Sequence, residues 1–586
     1  MNENIKYLDY VTKSNYIDTN SINSDFKKIN VGILRSFTID TIIPILKVQL
    51  YKENIYGNFF IGEYNQYHQE IFNTNSNLYK FNPDIIIIAI RLEEFYPELF
   101  NNFLGIKNNL SQITSYIINE FGSMIEKIKS ISNCNIILHN FVLPYNNYTS
   151  LYDFQNINGQ INFLRKVNYE LVNLVNKYTG VYLVDADNIS NLIGKLNTED
   201  KKMWYIAKNP YKYEFYISLS NEYVKYIKAI YGFKKKCIIL DLDNTLWGGV
   251  IGEDGLDGIK LGESYPGKCY KDFQQQLLNL KNRGVLLAIC SKNNSEDVDE
   301  VLKKHPDMVL KKEDFACIKA NWDNKYSNIN AISQELNIGL DSLVFIDDSP
   351  IECELIKQKI PEVTVITLPK NPLEYPDLIY NLNYFNTISL TEEDFHKTDI
   401  YKAQAERMTL KNSYSNLDDY YKSLKMKVEI KEVDDFSVPR IAQLTQKTNQ
   451  FNLTTKRYSE KDIKEMLQNK EYKLYYIRVI DKFGDNGITG FCILNSIDKY
   501  TLYIDTFLLS CRVMGRTIEN AFMAFIYNKA KENNIKKLIG EYIPTKKNQS
   551  IKDFYKNLGF TKGEDNYYLF DINNNKMEYP NYIKII

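Results

Sequence analysis

The residues with spacing suited to chemistry are carboxylates. Asp241 and Asp243 close the apolar run IILDLDNTLW at 238–247 and stand two positions apart. Residues so spaced share one side of a strand, so both carboxylates belong at the strand's carboxyl end, facing the same way. In open parallel sheets, ligands bind at that end. Two carboxylates this close repel, which favours a shared proton or a cation between them, and a hard divalent cation such as Mg²⁺ meets that need. More polar groups follow in order: Ser291 ends LLAICS, with Lys292, Asn293 and Asn294 next. Lys325 lies in NWDNKYSN, where a helix is expected to open, and Asp347 and Asp348 end LVFIDD before Ser349 and Pro350. Each group comes after an apolar strand or at a helix start, and such positions converge in a doubly wound sheet.

This set suits phosphoryl chemistry. A metal, a lysine and hydroxyl or backbone donors neutralise and orient phosphoryl oxygens. Asp241 is placed to attack phosphorus and form an aspartyl-phosphate. Asp243 is placed to protonate the leaving oxygen and then to activate water. Ser291, Lys292, Asn293 and Lys325 are the expected phosphate-binding residues. Asp241, Asp243, Asp347 and Asp348 are the expected Mg²⁺ ligands. The four motifs, in this order on these elements, resemble the haloacid dehalogenase (HAD) superfamily of phosphotransferases. An Asp pair that merely caps the next helix does not explain Ser291, Lys325 and Asp347–Asp348 together. No segment between the first two motifs is long enough for a large cap, so an open site for a bulky or protein-borne substrate is expected.

A closer resemblance runs through LDNTLWGGVIGEDGLDGIKLG (242–262), GVLLAICSKNN (284–294), NWDNKYSNI (321–329), LNIGLDSLVFIDDSPIE (336–352), LTQKTNQFNLTTKRYSE (444–460) and GEYIPTKKN (540–548). Together these are similar to the FkbH-like proteins of polyketide biosynthesis, strongly over 235–565 and more weakly over 25–235. The resemblance implies transfer of a glyceryl group from 1,3-bisphosphoglycerate to the phosphopantetheine thiol of an acyl carrier protein, with release of phosphate. Attack by Asp241 on phosphorus of that anhydride would release the acyl group as a carboxylate and lose its activation. A thiolate attacking the acyl carbon keeps a thioester. The cysteines of this block are Cys237, Cys269, Cys290, Cys317 and Cys353. Cys237 and Cys290 lie inside apolar strands and read as core. Cys269, in SYPGKCYKDF before an expected helix over about 270–283, has Lys268 and Lys271 beside it, and a helix start with flanking lysines favours thiolate. Cys269 is therefore the candidate acyl carrier; the alternative is a partly buried thiol without chemistry. Two rival functions are a Mg²⁺-dependent small-molecule phosphatase with Asp241 as true nucleophile and a scaffold that docks carrier proteins.

The elements that must hold these residues form an α/β multidomain chain. The expectation is an arm over 1–25, an SGNH-like parallel α/β domain over 26–233, a HAD-like Rossmannoid domain over 234–370, a helical connector over 371–425 and a GNAT-like α+β domain over 426–586. In the first block, VGILRSF, DIIIIAI, NIILHNF and VYLVDAD alternate with helical patterns. Ser36 there resembles an SGNH nucleophile, but no His lies between His139 and His305 to act as its base, so a turn or cap role is expected. His68, in GEYNQYHQEIFN, reads as an interface feature. In the last block, GDNG at 484–487 between apolar runs predicts a hairpin turn. RVMGRT at 512–517 resembles an acetyltransferase pyrophosphate loop. Arg512, Val513, Met514, Gly515, Arg516 and Thr517 are thus the expected contacts for a phosphopantetheine arm of a carrier protein or coenzyme A, although Thr517 departs from the pattern.

Composition narrows the rest. The 586 residues carry 72 basic and 73 acidic side chains, which argues against general nucleic-acid binding. Eight Cys and four His without a cluster argue against zinc and disulfide frameworks. No run approaches the ~18 apolar residues of a membrane span. The first residues lack the apolar core of a secretory signal, so a cytoplasmic protein is expected.

Overall fold

Runs of β-branched residues become central strands wherever both faces of a sheet are covered. The computed structural model describes residues 7–19, 26–146, 149–545 and 547–586, without the side chains of 392, 393 and 412. The chain divides into two units, 1–227 and 228–586.

The first unit holds strands β1 (Lys27–Arg35), β2 (Ile55–Ile61), β3 (Ile85–Ala89), β4 (Asn135–His139) and β5 (Val181–Val184) in the order β2-β1-β3-β4-β5. All neighbours are parallel. The central β3 is buried along its whole length, as its IIIIA sequence requires. β2 does not stand out in the sequence, because IYGNFFI is an edge strand with Gly57 and Asn58 interrupting its apolar residues. Within the expected arm, Tyr7–Thr19 is a helix that buries Tyr10 and Ile17 and pairs Asp18 with Lys47 at 2.8 Å. The rest of that arm lies outside the described residues.

The second unit begins with β6 (Cys237–Leu240), β7 (Leu286–Ser291), β8 (Phe315–Ala320), β9 (Leu343–Asp347) and β10 (Thr364–Thr367), parallel and ordered β10-β9-β6-β7-β8. Side-chain alternation splits its core in two. Ile238, Leu240, Leu287 and Ile346 face one side, with Phe273 of the helix Gly267–Asn282. Cys237, Ile239, Ala288 and Phe345 face the other, against Ile329 and Ile332 of the helix Lys325–Leu336. Leu240 pairs in register with Ile346, so Asp241 and Asp347 come next, side by side. By the same alternation they follow Ile239 and Phe345 onto the face that the helix opened by Lys325 covers. β8 adds a strand that the sequence does not announce: FACIKA is a short edge strand with Lys319 breaking its apolar run.

Four helices, Tyr375–Tyr380, Glu392–Phe395, Lys397–Asn412 and Leu417–Leu424, occupy the region expected as a helical connector. A mixed sheet follows, from β11 (Lys427–Glu432), β12 (Phe451–Asn452), β13 (Tyr472–Asp481), β14 (Gly484–Asp498), β15 (Thr501–Leu509), β16 (Lys537–Glu541), β17 (Thr561–Lys562), β18 (Tyr567–Asp571) and β19 (Lys584–Ile585). Its order is β17-β18-β16-β15-β14-β13-β11-β19, with β12 on β15. The helix Ile518–Glu532 packs Phe522 and Ile526 against Ile504 and Phe507 of β15. The predicted hairpin turn is displaced. Asp481 pairs with Gly484, so the turn is Lys482–Phe483, and GDNG forms the irregular start of β14. The cause is Asp481, whose Oδ1 accepts the Phe483 N–H at 2.9 Å and whose carboxylate is fixed by Arg407 at 2.7 Å.

Candidate active site

The site forms where β6, β7 and β9 end. Past β6 the chain turns at Asn244, left-handed at φ 52°, whose side-chain Oδ1 accepts the Gly249 N–H at 2.9 Å. Asn takes this conformation more readily than other side-chain-bearing residues. Past β9, Ser349 caps the helix Pro350–Lys359, and Pro350 sits in its first turn. The strand thus stops at Asp347 and leaves Asp348 at the sheet edge.

Lys325 is the hub. Its Nζ lies 2.6 Å from Asp347 Oδ2 and 3.1 Å from Asp241 Oδ1. Burial opposes the ammonium, but the two carboxylates outweigh it and hold Lys325 well above the usual lysine range. Asp241 is pushed up to about 6, chiefly by burial and also by Asp347, while Lys325 and the Ser291 hydroxyl pull it down. Asp241 Oδ1 is buried, with the Lys325 ammonium beside it. Asp348 is raised by burial and by Asp347. One oxygen from each of Asp241, Asp347 and Asp348 falls within a 4.8 Å group. Three carboxylates against a single ammonium leave negative charge that fits a divalent cation with oxygen ligands.

The carboxylate of Asp243, also an expected ligand, lies outside that group. Its Oδ1 accepts Trp247 Nε1 at 2.9 Å and the Ile251 N–H at 3.0 Å, and its Oδ2 accepts Asn293 Nδ2 at 2.9 Å. The same Asn293 amide reaches Ser291 Oγ at 3.0 Å, so Ser291, Asn293 and Asp243 form one line of hydrogen bonds. Trp247, fully buried, is a site residue that motif reasoning misses; a lone Trp four residues past an Asp is the available signal. Lys292 also departs from expectation, because its ammonium pairs with Glu352 at 2.7 Å instead of standing free for phosphate.

Two aromatic residues that the sequence does not mark stand beside the carboxylates. Tyr375 donates to the Asn244 carbonyl at 3.1 Å and packs edge-on against Tyr270 at 5.6 Å. Both phenols feel the charge of Asp348 and are raised, chiefly by burial. Cys269, next to Tyr270, lies in the first turn of the helix Gly267–Asn282 and is buried. The expected thiolate is not favoured there. Burial and Asp272 push the thiol up. Lys268 is held by Asp272 at 2.8 Å, and Lys271 by Asp307 at 2.8 Å and by Glu263. Burial also raises Cys237, Cys290, Cys317 and Cys353.

The loop 512–517 is turned inward. Arg516 binds Asp481 at 2.6 Å, Arg512 Nε donates to Ser510 Oγ at 3.1 Å, and Val513 is fully buried. Neither guanidinium is free of protein partners, so the loop's expected role rests on its backbone N–H groups. Met514 is half-buried, Gly515 is exposed at φ 71°, and Thr517 is left-handed at φ 58°, with its hydroxyl 3.1 Å from Tyr582 Oη. Only the backbone around Gly515 is left to face an anion.

In the first unit Ser36 is fully buried and accepts the Arg91 N–H at 2.9 Å. His139 instead meets Tyr223, and burial lowers it to about 3. His68 is exposed and stacks on Phe72 at 4.3 Å.

A parallel β10-β9-β6-β7-β8 sheet with these carboxylates and a lysine at its carboxyl edge defines a HAD-type, phosphatase-like enzyme unit. Residues 8–227 match the family of the FkbH N-terminal domain. The crystal structure of the N-terminal part of BF1531 from Bacteroides fragilis, described as containing a phosphatase domain and complexed with Mg, is 30% identical. That match covers 65% of this chain and 99% of that one, with a TM-score of 0.57. The chain belongs to the FkbH-like proteins of the HAD superfamily. Shorter matches include the ribosomal-protein-S18-alanine N-acetyltransferase from Escherichia coli (14% identity, 26% of this chain, 97% of that one, TM-score 0.20). Another is a point mutant of the spermidine N-acetyltransferase SpeG from Vibrio cholerae (11% identity, 25% and 94%, TM-score 0.20). No curated protein matches by sequence. Among the described residues no helix is long and apolar enough to cross a membrane.

Proposed function

We propose that residues 228–586 carry out Mg²⁺-dependent phosphoryl chemistry, with Asp241 as the acceptor of the phosphoryl group. The observation that carries this reading is the placement of Lys325 between Asp241 and Asp347, with Asp348 alongside. Asp241, Asp347 and Asp348 would hold the Mg²⁺, which when bound neutralises charge on phosphoryl oxygens. Lys325 fixes the Asp241 carboxylate and adds positive charge where charge develops. Ser291 and Asn293 orient the group. Asp243, immobilised by Trp247, Ile251 and Asn293, moves protons: it gives one to the leaving oxygen and later takes one from water.

The finer proposal concerns the substrate. Membership of the FkbH-like proteins supports 1,3-bisphosphoglycerate as donor and the phosphopantetheine thiol of an acyl carrier protein as acceptor. In that reaction the thiolate attacks the acyl carbon and expels the C1 phosphate, giving a 3-phosphoglyceryl thioester, and the C3 phosphoryl group then passes to Asp241 and on to water as a second inorganic phosphate, leaving the glyceryl thioester. Cys269 is the candidate intermediate thiol. Its raised thiol and the engaged lysines beside it favour the second reading, a phosphatase that releases phosphate without acyl transfer. Intact-mass analysis of a holo carrier protein after incubation with this protein, Mg²⁺ and 1,3-bisphosphoglycerate separates the two. A glyceryl adduct on the carrier supports transfer. Phosphate release with an unmodified carrier supports the phosphatase, and an adduct unchanged in Cys269→Ala removes Cys269 from the path.

A further inference from the structure

The stretch 321–324 joins β8 to the helix that Lys325 opens, at the carboxyl edge of the sheet. It is fastened to the carboxylate site. The Asn321 N–H donates to the Ser291 carbonyl at 3.2 Å. The Asn321 side-chain amide pairs both ways with that of Asn328, at 2.8 and 3.3 Å. Its Oδ1 also accepts the Asp323 N–H at 3.0 Å. Trp322 stands between these anchors, shortly before the ammonium that binds Asp241 and Asp347.

Of the chain's three tryptophans, Trp247 is fully buried and Trp204 half-buried, whereas Trp322 is 71% exposed. A ring this large gains much from burial and is seldom left so open. The ring is also held in place. Its Nε1 donates to Asn294 Oδ1 at 3.0 Å. Asn294 directly follows Asn293, whose amide joins Ser291 to Asp243. One polar atom is thus pinned to the rim of the site while most of the indole surface faces outward. An aromatic surface ordered in advance takes up an apolar partner at little further entropic cost.

The surroundings narrow the partner. Asn294, Asn321 and Asn324 are uncharged amides, the groups that exchange hydrogen bonds with other amides. The one charge in 321–324 is Asp323, exposed and repulsive to a second phosphate. A small phosphate ester fills the carboxylate site and has no apolar part to lay on the indole.

We infer that Trp322 is a specificity-determining residue of the Asp241 site. Its indole receives the uncharged, methyl- and amide-bearing pantetheine arm of a phosphorylated acyl thioester, while the phosphate lies at Asp241 and Lys325. The inference rests on the acyl-transfer reading above and adds to it the form in which Asp241 meets its substrate: borne on the arm, in preference to a free phosphate ester.

The test uses the full chain with Mg²⁺ and compares phosphate release from S-(3-phosphoglyceryl)pantetheine and from 3-phosphoglycerate. The thioester is expected to show the lower KM. Trp322→Ala should raise the thioester KM about tenfold relative to that of 3-phosphoglycerate, the loss of one aromatic contact, and move the thioester kcat by no more than about twofold. Trp322→Phe, which keeps an aromatic face, should retain most of the preference. A second measurement needs no turnover. In EDTA, free pantetheine should quench the tryptophan emission of the wild type, and Trp322→Phe should abolish that response. Equal KM changes for both substrates, a thioester KM unmoved in Trp322→Ala, or wild-type emission indifferent to pantetheine would overturn the inference. An equal response to cysteamine, which is cationic and lacks the amides, would overturn it too. Phosphate release from neither substrate by the wild type would instead sink the reading of Asp241, and the emission response would still decide the role of Trp322.

Discussion

The ammonium of Lys325 sits 2.6 Å from Oδ2 of Asp347, a carboxylate with no exposed surface. Removing the ammonium strands that charge. Lys325→Met is expected to lower stability by about 3–5 kcal/mol, the usual cost of breaking one side of a buried pair. MgCl₂ should restore part of the loss, because a cation bound only by the folded state stabilises it. Urea unfolding with and without MgCl₂ reads both effects. An unchanged midpoint in EDTA would show that the pair contributes nothing.

Asp241→Asn removes the proposed phosphoryl acceptor but keeps its shape. Phosphate release should fall by at least ~10³-fold, as for loss of a nucleophile. Circular dichroism should stay native. Activity near wild type would rule out an aspartyl-phosphate.

Asp243→Asn distinguishes a proton-transfer role from a metal ligand. Its carboxylate is engaged by Trp247, Ile251 and Asn293 and is not one of the three grouped around Lys325. Turnover should drop by ~10²–10⁴-fold, the range of general acid–base contributions. The Mg²⁺ concentration giving half-maximal stabilisation should stay within about twofold, since a true ligand would shift it tenfold or more. A large shift in Mg²⁺ affinity would return Asp243 to the ligand set.

What the sequence reveals and what it hides follow from one physical distinction. Asp241, Ser291, Lys325 and Asp347 are legible because each ends an apolar strand or opens a helix, and parallel topology brings such ends together. The engagement of Asp243 is hidden because Trp247, Ile251 and Asn293 take up its carboxylate, contacts that strand alternation does not announce. The pairings of Lys292, Arg512 and Arg516 are hidden for another reason. Their partners, Glu352, Ser510 and Asp481, include residues 35 and 60 positions away, and no local pattern announces those pairings. The edge strands β2 and β8 escape because half-exposed strands lack a continuous apolar run. The HAD-type sheet is clearest where burial is complete.

Asp481 tests the inward loop. It accepts from Arg407 through two bonds of 2.7 and 2.8 Å and from Arg516 at 2.6 Å, all buried. Burial and Arg407 lower Arg516 to about 10, with Asp481 opposing them. Asp481→Ala leaves two buried guanidinium groups without a carboxylate and should cost about 3–5 kcal/mol. The helix Lys397–Asn412, which carries Arg407, should exchange its amide protons faster. Wild-type exchange in that helix would show that Asp481 does not hold it.

Two lysines lowered by burial, Lys397 and Lys447, make stability depend on pH in a definite direction. Lys447 and Lys397 are held at about 6 and about 7 in the folded chain, below the ordinary lysine value of 10.5. Between those limits the unfolded chain binds more protons than the folded one, so stability rises with pH. The penalty is fully present below about pH 6 and is relieved as pH climbs toward 10. Among the described residues, the charges that act most on these lysines are Lys234, Lys236, Arg283, Arg440, Arg512 and Asp394. Asp394, lowered to about 2, stays ionised throughout the window and adds no slope. Lys447→Met removes one depressed ammonium, so its urea midpoint should rise less between pH 6.5 and 9 than that of the wild type. It should also start higher at pH 6.5, because the repulsion is gone. A midpoint that falls with pH in the wild type but not in the variant would reverse the sign and refute the packing of these ammonium groups.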